Sequence, residues 1–288
     1  MYDDNLIKIV SNQAHASSII RIKQSPFKKS ICQYVATSSA DDFAINIWYL
    51  SNTNLKLIRS YTNHSGDVFG LEWINEDMIA SGSQDSTIQI WSIVTGLIQR
   101  RIKVEGVGVF CLKLLSNGFF LASGIGNGHI NIYNINTGDL KSKLTGHTLN
   151  VCDLELINNT TLASSGLDET IRIWNLETNT AKFILTEHSR PVIGLKLIEL
   201  NILASGSEDY TIKIWNLTNG MLIRTLIGHT GAIYRSLDLL NDDQTLVSGS
   251  NDKTIKLWNW KTGECLRTLD TSLTIKSLAV VNQSNFLN

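Results

Sequence analysis

One pattern recurs six times along the chain and constrains its fold more than any other feature. Each copy is a fifteen-residue segment in which apolar and polar residues alternate around a serine, and the copies align without gaps. The segments are 36–50, 79–93, 121–135, 162–176, 203–217 and 246–260. Each contains one aromatic anchor, and successive anchors are 43, 42, 41, 41 and 43 residues apart. A fixed period of this length indicates one structural unit repeated in space.

The residues within each copy predict β-strands. Ile171 and Ile173 flank Arg172, and Ile212 and Ile214 flank Lys213, which is the alternation typical of a half-buried strand. No stretch of ten or more residues has the i, i+3, i+4, i+7 spacing of an amphipathic helix. The sequence therefore predicts an all-β protein.

A histidine, or a glutamate in the third copy, precedes each anchor at a looser distance. These residues are His15, His64, Glu105, His147, His188 and His229, and the anchors are Trp48, Trp91, Tyr133, Trp174, Trp215 and Trp258. Glycine stands directly before His147 and His229. The pattern resembles the WD-repeat family of β-propellers, whose repeats of about 40 to 45 residues carry a Gly-His dipeptide and a tryptophan. The aspartate that usually follows this tryptophan is replaced, for example by Asn175 and Asn216.

The resemblance covers almost the whole chain and implies one seven-bladed propeller domain over residues 1–288. Six complete four-stranded blades are expected at about 16–62, 67–103, 108–144, 149–185, 190–226 and 231–269. Residues 2–13 together with 274–288 would supply the outermost and innermost strands of an incomplete closing blade. Either the chain is a truncated seven-bladed propeller, or a half blade closes six full ones. Truncation is favoured because propellers avoid open strand edges.

Serine, histidine and aspartate recur together in five repeats and invite comparison with a hydrolase triad. The sets, each with its aromatic anchor, are His15/Ser38/Asp42/Trp48, His64/Ser81/Asp85/Trp91, His147/Ser164/Asp168/Trp174, His188/Ser205/Asp209/Trp215 and His229/Ser248/Asp252/Trp258. A catalytic site is needed once, whereas this set is repeated. The family resemblance implies a structural hydrogen-bond chain from the tryptophan to the aspartate, so no catalytic residue is predicted. The third repeat departs from the pattern and should have a weakened network, with Glu105, Ser123, Asn127 and Tyr133 at these positions.

Composition narrows the class of partner and compartment. The 25 Lys and Arg residues balance 26 Asp and Glu residues, so there is no overall basic field to attract nucleic acid or anionic lipid. We therefore predict no nucleic-acid and no membrane partner. The four cysteines include no CxxC pair, and the first eleven residues carry three charged side chains, which favours the reducing cytoplasm or the nucleus. No pair of the six histidines has metal-ligand spacing, so neither a metal nor another cofactor is predicted.

The WD-repeat resemblance also implies a binding face at one mouth of the central channel. Each blade would contribute the third and fifth residues after its histidine and the residue before its turn aspartate. The candidates transferred in this way are Ile20, Asp41, Asp67, Phe69, Gln84, Phe110, Asn150, Leu167, Ile193, Glu208, Tyr234 and Asn251. They include large apolar side chains and three acids, but no lysine or arginine, which favours protein or peptide partners with apolar anchors and basic residues. A packing role for Ile20, Cys152 and Ile193 stays open at this stage.

These observations predict a non-catalytic scaffold or adaptor. Within that class, a substrate-recognition subunit of a ubiquitin ligase is the alternative. A propeller hydrolase is a more distant one, because it would need unique polar residues at the channel mouth, and only Asp41, Asp67 and Glu208 are available there.

Overall fold

The computed structural model describes residues 19–26, 33–40, 42–50, 55–240 and 242–280. All regular structure in these ranges is β-strand, and the ranges contain no helix that could cross a membrane. The strands form six four-stranded antiparallel sheets in which consecutive strands are neighbours. The all-β prediction and the six four-stranded blades are thus confirmed. We number the sheets as blades 1 to 6 in chain order.

Two compact units divide the chain, and the first contains blades 1 and 2. Blade 1 consists of β1 (Ile19–Gln24), β2 (Gln33–Ser39), β3 (Ile45–Leu50) and β4 (Leu55–Tyr61). Blade 2 consists of β5 (Val68–Asn75), β6 (Met78–Ser83), β7 (Thr87–Ser92) and β8 (Ile98–Lys103). The two sheets share an apolar core in which Ile45 and Ile47 of blade 1 pack with Leu71 and Trp91 of blade 2.

The second unit runs from Val109 to Leu278 and contains the other four blades. Blade 3 consists of β9 (Val109–Leu114), β10 (Phe120–Ile125), β11 (Ile130–Asn134) and β12 (Leu140–Leu144). Blade 4 consists of β13 (Val151–Asn158), β14 (Thr161–Gly166), β15 (Ile171–Asn175) and β16 (Thr180–Leu185). Blade 5 consists of β17 (Val192–Glu199), β18 (Ile202–Ser207), β19 (Ile212–Asn216) and β20 (Met221–Leu226). Blade 6 consists of β21 (Leu237–Leu239), β22 (Thr245–Gly249), β23 (Thr254–Asn259) and β24 (Cys265–Asp270).

The repeated tryptophan closes an apolar layer between adjacent blades of the second unit. Trp174 of blade 4 shares a core cluster with Ile130 of blade 3, and Trp215 of blade 5 shares one with Ile171 of blade 4. Trp258 of blade 6 belongs to the equivalent cluster with blade 5. A single sheet exposes two faces and cannot bury both alone, so each repeat depends on its neighbour for its core.

Residues 275–278 contact blade 6 in the same way as the residues just before β21 contact blade 5. The Ile275 amide donates to the Ser250 carbonyl at 3.0 Å, and the Ile233 amide donates to the Ser207 carbonyl at 3.1 Å. The segment therefore occupies the position that a further first strand would take.

That segment does not form the strand that the sequence predicted over 274–281. Its described part makes one isolated parallel bridge, between Arg235 and Ser277. With only one bridge, no ladder of regular pairs develops. Residues 2–13, which were expected to form the other half of the closing blade, lie outside the described residues. The seventh blade stays a prediction.

Candidate functional site

The recurring histidine set forms a continuous hydrogen-bond chain, which blade 5 illustrates. The Trp215 indole donates to Ser205 Oγ at 2.8 Å, and Ser205 Oγ lies 2.7 Å from His188 Nε2. His188 Nδ1 lies 2.6 Å from Asp209 Oδ2. Because the carboxylate only accepts, Nδ1 carries the proton and Nε2 accepts from the serine hydroxyl. The same chain exists in blades 2, 4 and 6, as predicted.

Burial determines the protonation of these chains. It lowers the pKa of His64, His188 and His229 below the ordinary value, and the partner carboxylate offsets this only in part. Burial would raise the pKa of the Asp252 carboxyl, but bonds from the Thr230 amide, the Thr254 hydroxyl and His229 lower it to about 2. In blades 2, 5 and 6 the chain therefore joins a neutral imidazole to an ionised aspartate.

These chains are not accessible as nucleophilic sites. Ser205 is fully buried, and its hydroxyl is already engaged with Trp215 and His188. The equivalent serines Ser81, Ser164 and Ser248 are equally buried. A substrate carbonyl cannot approach an oxygen that packing excludes from solvent, so the four sets stabilise the blades.

Blade 1 departs from the prediction for its serine. The Trp48 indole donates to Thr37 Oγ1 at 2.8 Å, whereas Ser38 Oγ donates to the Val68 carbonyl at 2.6 Å. The prediction that Ser38 accepts from Trp48 was wrong because eleven positions separate Trp48 from its acceptor, against ten in blades 2, 4, 5 and 6. One additional residue in the turn shifts the gapless alignment. His15 lies outside the described residues.

Blade 3 lacks the chain, as predicted. Ser123 Oγ donates to the Asn131 carbonyl at 3.2 Å, and the Asn131 amide group donates to the Tyr133 hydroxyl at 3.0 Å. Asn127 Oδ1 accepts from the His129 amide at 3.2 Å. These three bonds are local and do not form a continuous chain from the turn to the aromatic anchor.

The candidate residues five positions after the histidine share one structural feature. In blade 5, Val192 pairs with Ser207 and Gly194 pairs with Gly206, which leaves Ile193 as the extra residue of a β-bulge. The equivalent bulge residues of blades 1 to 4 are Ile20, Phe69, Phe110 and Cys152. A bulge redirects a side chain away from the regular alternation of its strand.

Exposure separates these bulge residues into two groups. Ile20 and Ile193 are buried, with 8% and 7% of their surface exposed, which favours the packing role that the sequence left open. Cys152 is buried too, and burial raises the pKa of its thiol to about 12. Phe69 and Phe110 are partly exposed.

Blade 6 has two residues where the other blades have one. Ser236 accepts from the Gly249 amide and Leu237 pairs with Ser248, so both Tyr234 and Arg235 occupy the bulge. Tyr234, the candidate taken from the sequence, is partly exposed.

Arg235 was missed by the sequence reasoning. Its guanidinium donates to the Cys152 carbonyl at 2.7 Å and to the Phe110 carbonyl at 3.2 Å. It therefore joins the bulges of blades 3, 4 and 6 within the second unit. The available signal was the spacing of His229 and Ser248, which is 19 positions, against 17 in blades 2, 4 and 5.

The other candidates lie in pairs at the turns. In blade 5 the Glu208 amide donates to the Pro191 carbonyl at 3.0 Å, which joins the residue before the aspartate to the residue three after the histidine. The same bond joins Gln84 to Asp67, Leu167 to Asn150, and Asn251 to Ala232. Asp41 lies outside the described residues.

A row of alternating charges in the first strands was also missed. Lys113 Nζ lies 2.7 Å from Glu155 Oε2, and Lys196 Nζ lies 2.6 Å from Asp238 Oδ1. In the first unit, Lys23 Nζ lies 3.1 Å from Glu72 Oε2. Each of these six charged residues pairs, within its own blade, with a small apolar residue of the second strand. These residues are Ala36, Ala80, Ala122, Ala163, Ala204 and Val247. The signal was a charge of alternating sign eight residues after each repeat's histidine, or after Glu105 in blade 3, and nine residues after it in blade 6.

Comparison with protein families identifies the same repeat. The family model described as "WD domain, G-beta repeat" matches residues 180–216 and 220–259. A second model, described as WDR54, matches residues 65–194.

Three curated proteins illustrate the range of relatives. The WD repeat-containing protein SL1-17 of Schistosoma mansoni is 28% identical over 173 residues, covering 51% of this chain and 57% of that protein. The guanine nucleotide-binding protein subunit beta of Zea mays is 30% identical over 128 residues, covering 41% and 34% respectively. The SIR4-interacting protein SIF2 of Saccharomyces cerevisiae is 26% identical over 106 residues, covering 37% and 19%. The chain thus spans less than two thirds of the length of each.

The crystal structure of the computationally designed Ika8 protein is similar over 94% of this chain and 80% of that one. The TM-score is 0.73 and the sequence identity is 26%. This similarity concerns the fold.

Proposed function

Because the chain belongs to the WD-repeat family of β-propeller proteins, we propose that it is a non-catalytic scaffold or adaptor that binds proteins or peptides at its bulged first strands. Two relatives are consistent with this class of function. One is named for its interaction with SIR4, and another is a subunit of a guanine nucleotide-binding protein. Those names describe the relatives, and here they support binding of proteins in general.

The convergence of partly exposed aromatic bulge residues in the second unit carries the proposal. Phe110 and Tyr234 belong to blades 3 and 6, and the Arg235 guanidinium joins the two bulges through its bond to the Phe110 carbonyl. Aromatic side chains near the centre of a contact region supply much of the binding energy in protein interfaces. Glu208 and Asn251 lie in the neighbouring turns and would orient a partner.

The same arrangement favours a scaffold over an enzyme. The repeated serine, histidine and aspartate residues of blades 2, 4, 5 and 6 serve buried structural chains. The ubiquitin-ligase alternative remains a prediction from the sequence, and no observation on the described residues favours it over a general adaptor. The propeller-hydrolase alternative is likewise a prediction from the sequence alone.

Quantitative co-purification from extracts of the expressing cells tests the proposal. The wild-type protein is compared with Phe110→Ala and Tyr234→Ala, and each is first checked for an unchanged melting temperature. We expect partners of the wild type to be depleted with both variants, because truncating a hot-spot aromatic costs about 1–3 kcal/mol of binding.

Ile223→Ala is the matched control, because Ile223 is an exposed apolar residue on β20, away from the first strands. It should retain the partners. If both aromatic variants retain them as well, partners bind elsewhere and the proposed site is wrong.

A further inference from the structure

We propose that the corner formed by Glu208, Tyr210, Tyr234 and Asn251 binds an ammonium group that carries at least one N–H, such as that of a lysine side chain. This inference rests on the proposed function, because it assigns the basic residue of the partner to a particular part of the binding region. The corner lies wholly within the second unit.

Backbone hydrogen bonds bring the corner together. The Ser207 carbonyl accepts from the Ile233 amide at 3.1 Å and from the Tyr210 amide at 3.3 Å. One carbonyl therefore fixes the turn that carries Glu208 and Tyr210 against the residue that precedes Tyr234. A Cβ at Gly194 would clash with the Tyr234 carbonyl, so glycine at this position permits the close approach of blades 5 and 6.

Asn251 completes the corner from blade 6. Its side-chain amide group donates to the Tyr234 hydroxyl at 3.3 Å. Its carbonyl oxygen, Oδ1, is buried and has no hydrogen-bond partner among the described residues. A buried acceptor without a donor costs free energy. Because Asn251 as a residue is partly exposed, unlike Ser205, a rotation of its side chain would present Oδ1 to a ligand N–H, which would remove that cost.

The electrostatics of the corner favour a cation. Burial raises the pKa of Tyr234, and the nearby Glu208 carboxylate raises it further, with a smaller contribution from Tyr210. Within the described part of the chain, Glu208 makes no ion pair that would neutralise it. The Glu208 carboxylate thus offers negative charge to a ligand, and the two neutral phenol rings offer their π faces.

The exposure and the backbone conformation of Tyr210 favour a role in contacting a ligand. It is 48% exposed and has a left-handed backbone conformation, with φ of 69°. This conformation is unfavourable for a bulky side chain. The equivalent turn positions of blades 2, 4 and 6 have Ser86, Glu169 and Lys253. An exposed phenol ring at this position can contact an ammonium group through its π face.

The inference is tested with two short probe peptides, acetyl-Gly-Gly-Lys-Gly-Gly-amide and the same peptide with norleucine in place of lysine. Each is titrated into ¹⁵N-labelled protein, and amide shifts are followed by NMR. We expect saturable shifts at residues 207–210 and 250–252 with the lysine peptide only. A trimethyl-lysine peptide should bind more weakly than lysine, because it cannot donate to Asn251 Oδ1.

Substitutions in the corner test whether the lysine peptide binds there. Glu208→Gln should weaken lysine-peptide binding about two- to fivefold, as expected for a partly exposed ion pair. Tyr210→Asn retains a residue that tolerates the left-handed backbone and should weaken binding by a similar factor. Glu169→Gln removes an exposed acid from the same turn of blade 4 and should leave binding unchanged.

The outcomes distinguish this inference from the proposed function. Equal binding of the lysine and norleucine peptides, or an equal loss with Glu169→Gln, would overturn the ammonium site. Partner depletion with Phe110→Ala but full retention with Glu208→Gln would overturn the inference and leave the scaffold intact. Trimethyl-lysine binding as tightly as lysine would also overturn it, because the N–H would then have no role.

Discussion

Blades 3 and 5 have the same strand layout but different polar interiors. Ser123 pairs with Leu112 in blade 3, as Ser205 pairs with Leu195 in blade 5, and both first strands carry a bulge. Of these two blades, only blade 5 has the hydrogen-bond chain from tryptophan to aspartate. The apolar alternation and the strand register are therefore sufficient for the blade, and we expect the polar chain to add stability to it.

The turn of blade 3 shows how the chain adapts when the aspartate is absent. Gly128 follows Asn127 with φ of 82°, and a Cβ there would clash with the His147 carbonyl. In blade 5 the equivalent residue is Tyr210. Blade 3 thus uses a glycine where its neighbours use a non-glycine residue beside an ionised aspartate.

The largest expected difference between the blades concerns the turn residue. Asp209→Ala should lower the free energy of unfolding by about 1–3 kcal/mol, because it leaves His188 and a turn amide without their acceptor. Asn127→Ala should change it by less than about 0.5 kcal/mol, because its bond to the His129 amide is local and exposed. Urea denaturation of both variants measures the difference. Equal losses would mean that the chain in blade 5 contributes nothing beyond a turn bond.

Rebuilding the chain in blade 3 tests the same comparison in the opposite direction. The triple substitution Glu105→His, Asn127→Asp and Tyr133→Trp, with Ser123 retained, should raise the free energy of unfolding by about 1–2 kcal/mol. Each single substitution should give no gain, because an incomplete chain leaves a buried polar group unpaired. Additive gains from the single substitutions would contradict a connected chain.

The chains of blades 2, 5 and 6 should make stability depend on pH. The folded pKa of His64, His188 and His229 lies below the ordinary value of 6.5, so the unfolded state binds protons first as the pH falls. Stability should therefore be complete above pH 6.5 and decline as the pH falls towards the folded pKa values, by at most about 1.4 kcal/mol per pH unit and histidine. Urea midpoints at pH 7.5, 6.0 and 5.0 measure the slope, and His188→Asn should reduce it.

Below about pH 4 the aspartates should add a further loss of stability. Their folded pKa values are lowered, to about 2 for Asp252, so the stability they supply is present above the ordinary value of 3.8 and is lost as the pH falls towards 2. Asp252→Asn should lower stability at pH 7 and make it less dependent on pH between 4 and 2. An unchanged acid slope in this variant would contradict the assignment.

The smallest expected difference concerns the charged row, which both blades share. Lys113→Met and Lys196→Met should each cost about 1 kcal/mol or less, because both ion pairs are partly exposed. Equal values would confine the difference between blades 3 and 5 to the histidine chain. A much larger loss for Lys113→Met would show that the charged row compensates for the missing chain in blade 3.

The sequence predicted what depends on periodicity. The fifteen-residue copies predicted the six blades, and the residues of each copy predicted the chain in blade 5 and its absence in blade 3. These predictions were correct because apolar alternation and the choice of hydrogen-bonding side chain are local properties of the repeat.

The sequence did not predict what depends on loop length. Counting positions assumes equal loops. Counting back from the tryptophan failed in blade 1, where Thr37 replaced Ser38, and counting forward from the histidine missed Arg235 in the bulge of blade 6. Nor could the sequence tell that Ile20 and Ile193 are buried while Phe110 is partly exposed. Exposure at a bulge depends on neighbouring strands that are distant in the sequence.

The alternating charges also limit how such a chain can change its number of repeats. Lys113, Glu155, Lys196 and Asp238 follow one another in consecutive blades, and Lys196 is influenced by both Glu155 and Asp238. Deleting the single repeat that carries Lys196 would place Glu155 beside Asp238, and duplicating it would place two lysines together. Like charges in neighbouring strands repel. Gene duplication or loss should therefore be tolerated better in steps of two repeats than in steps of one.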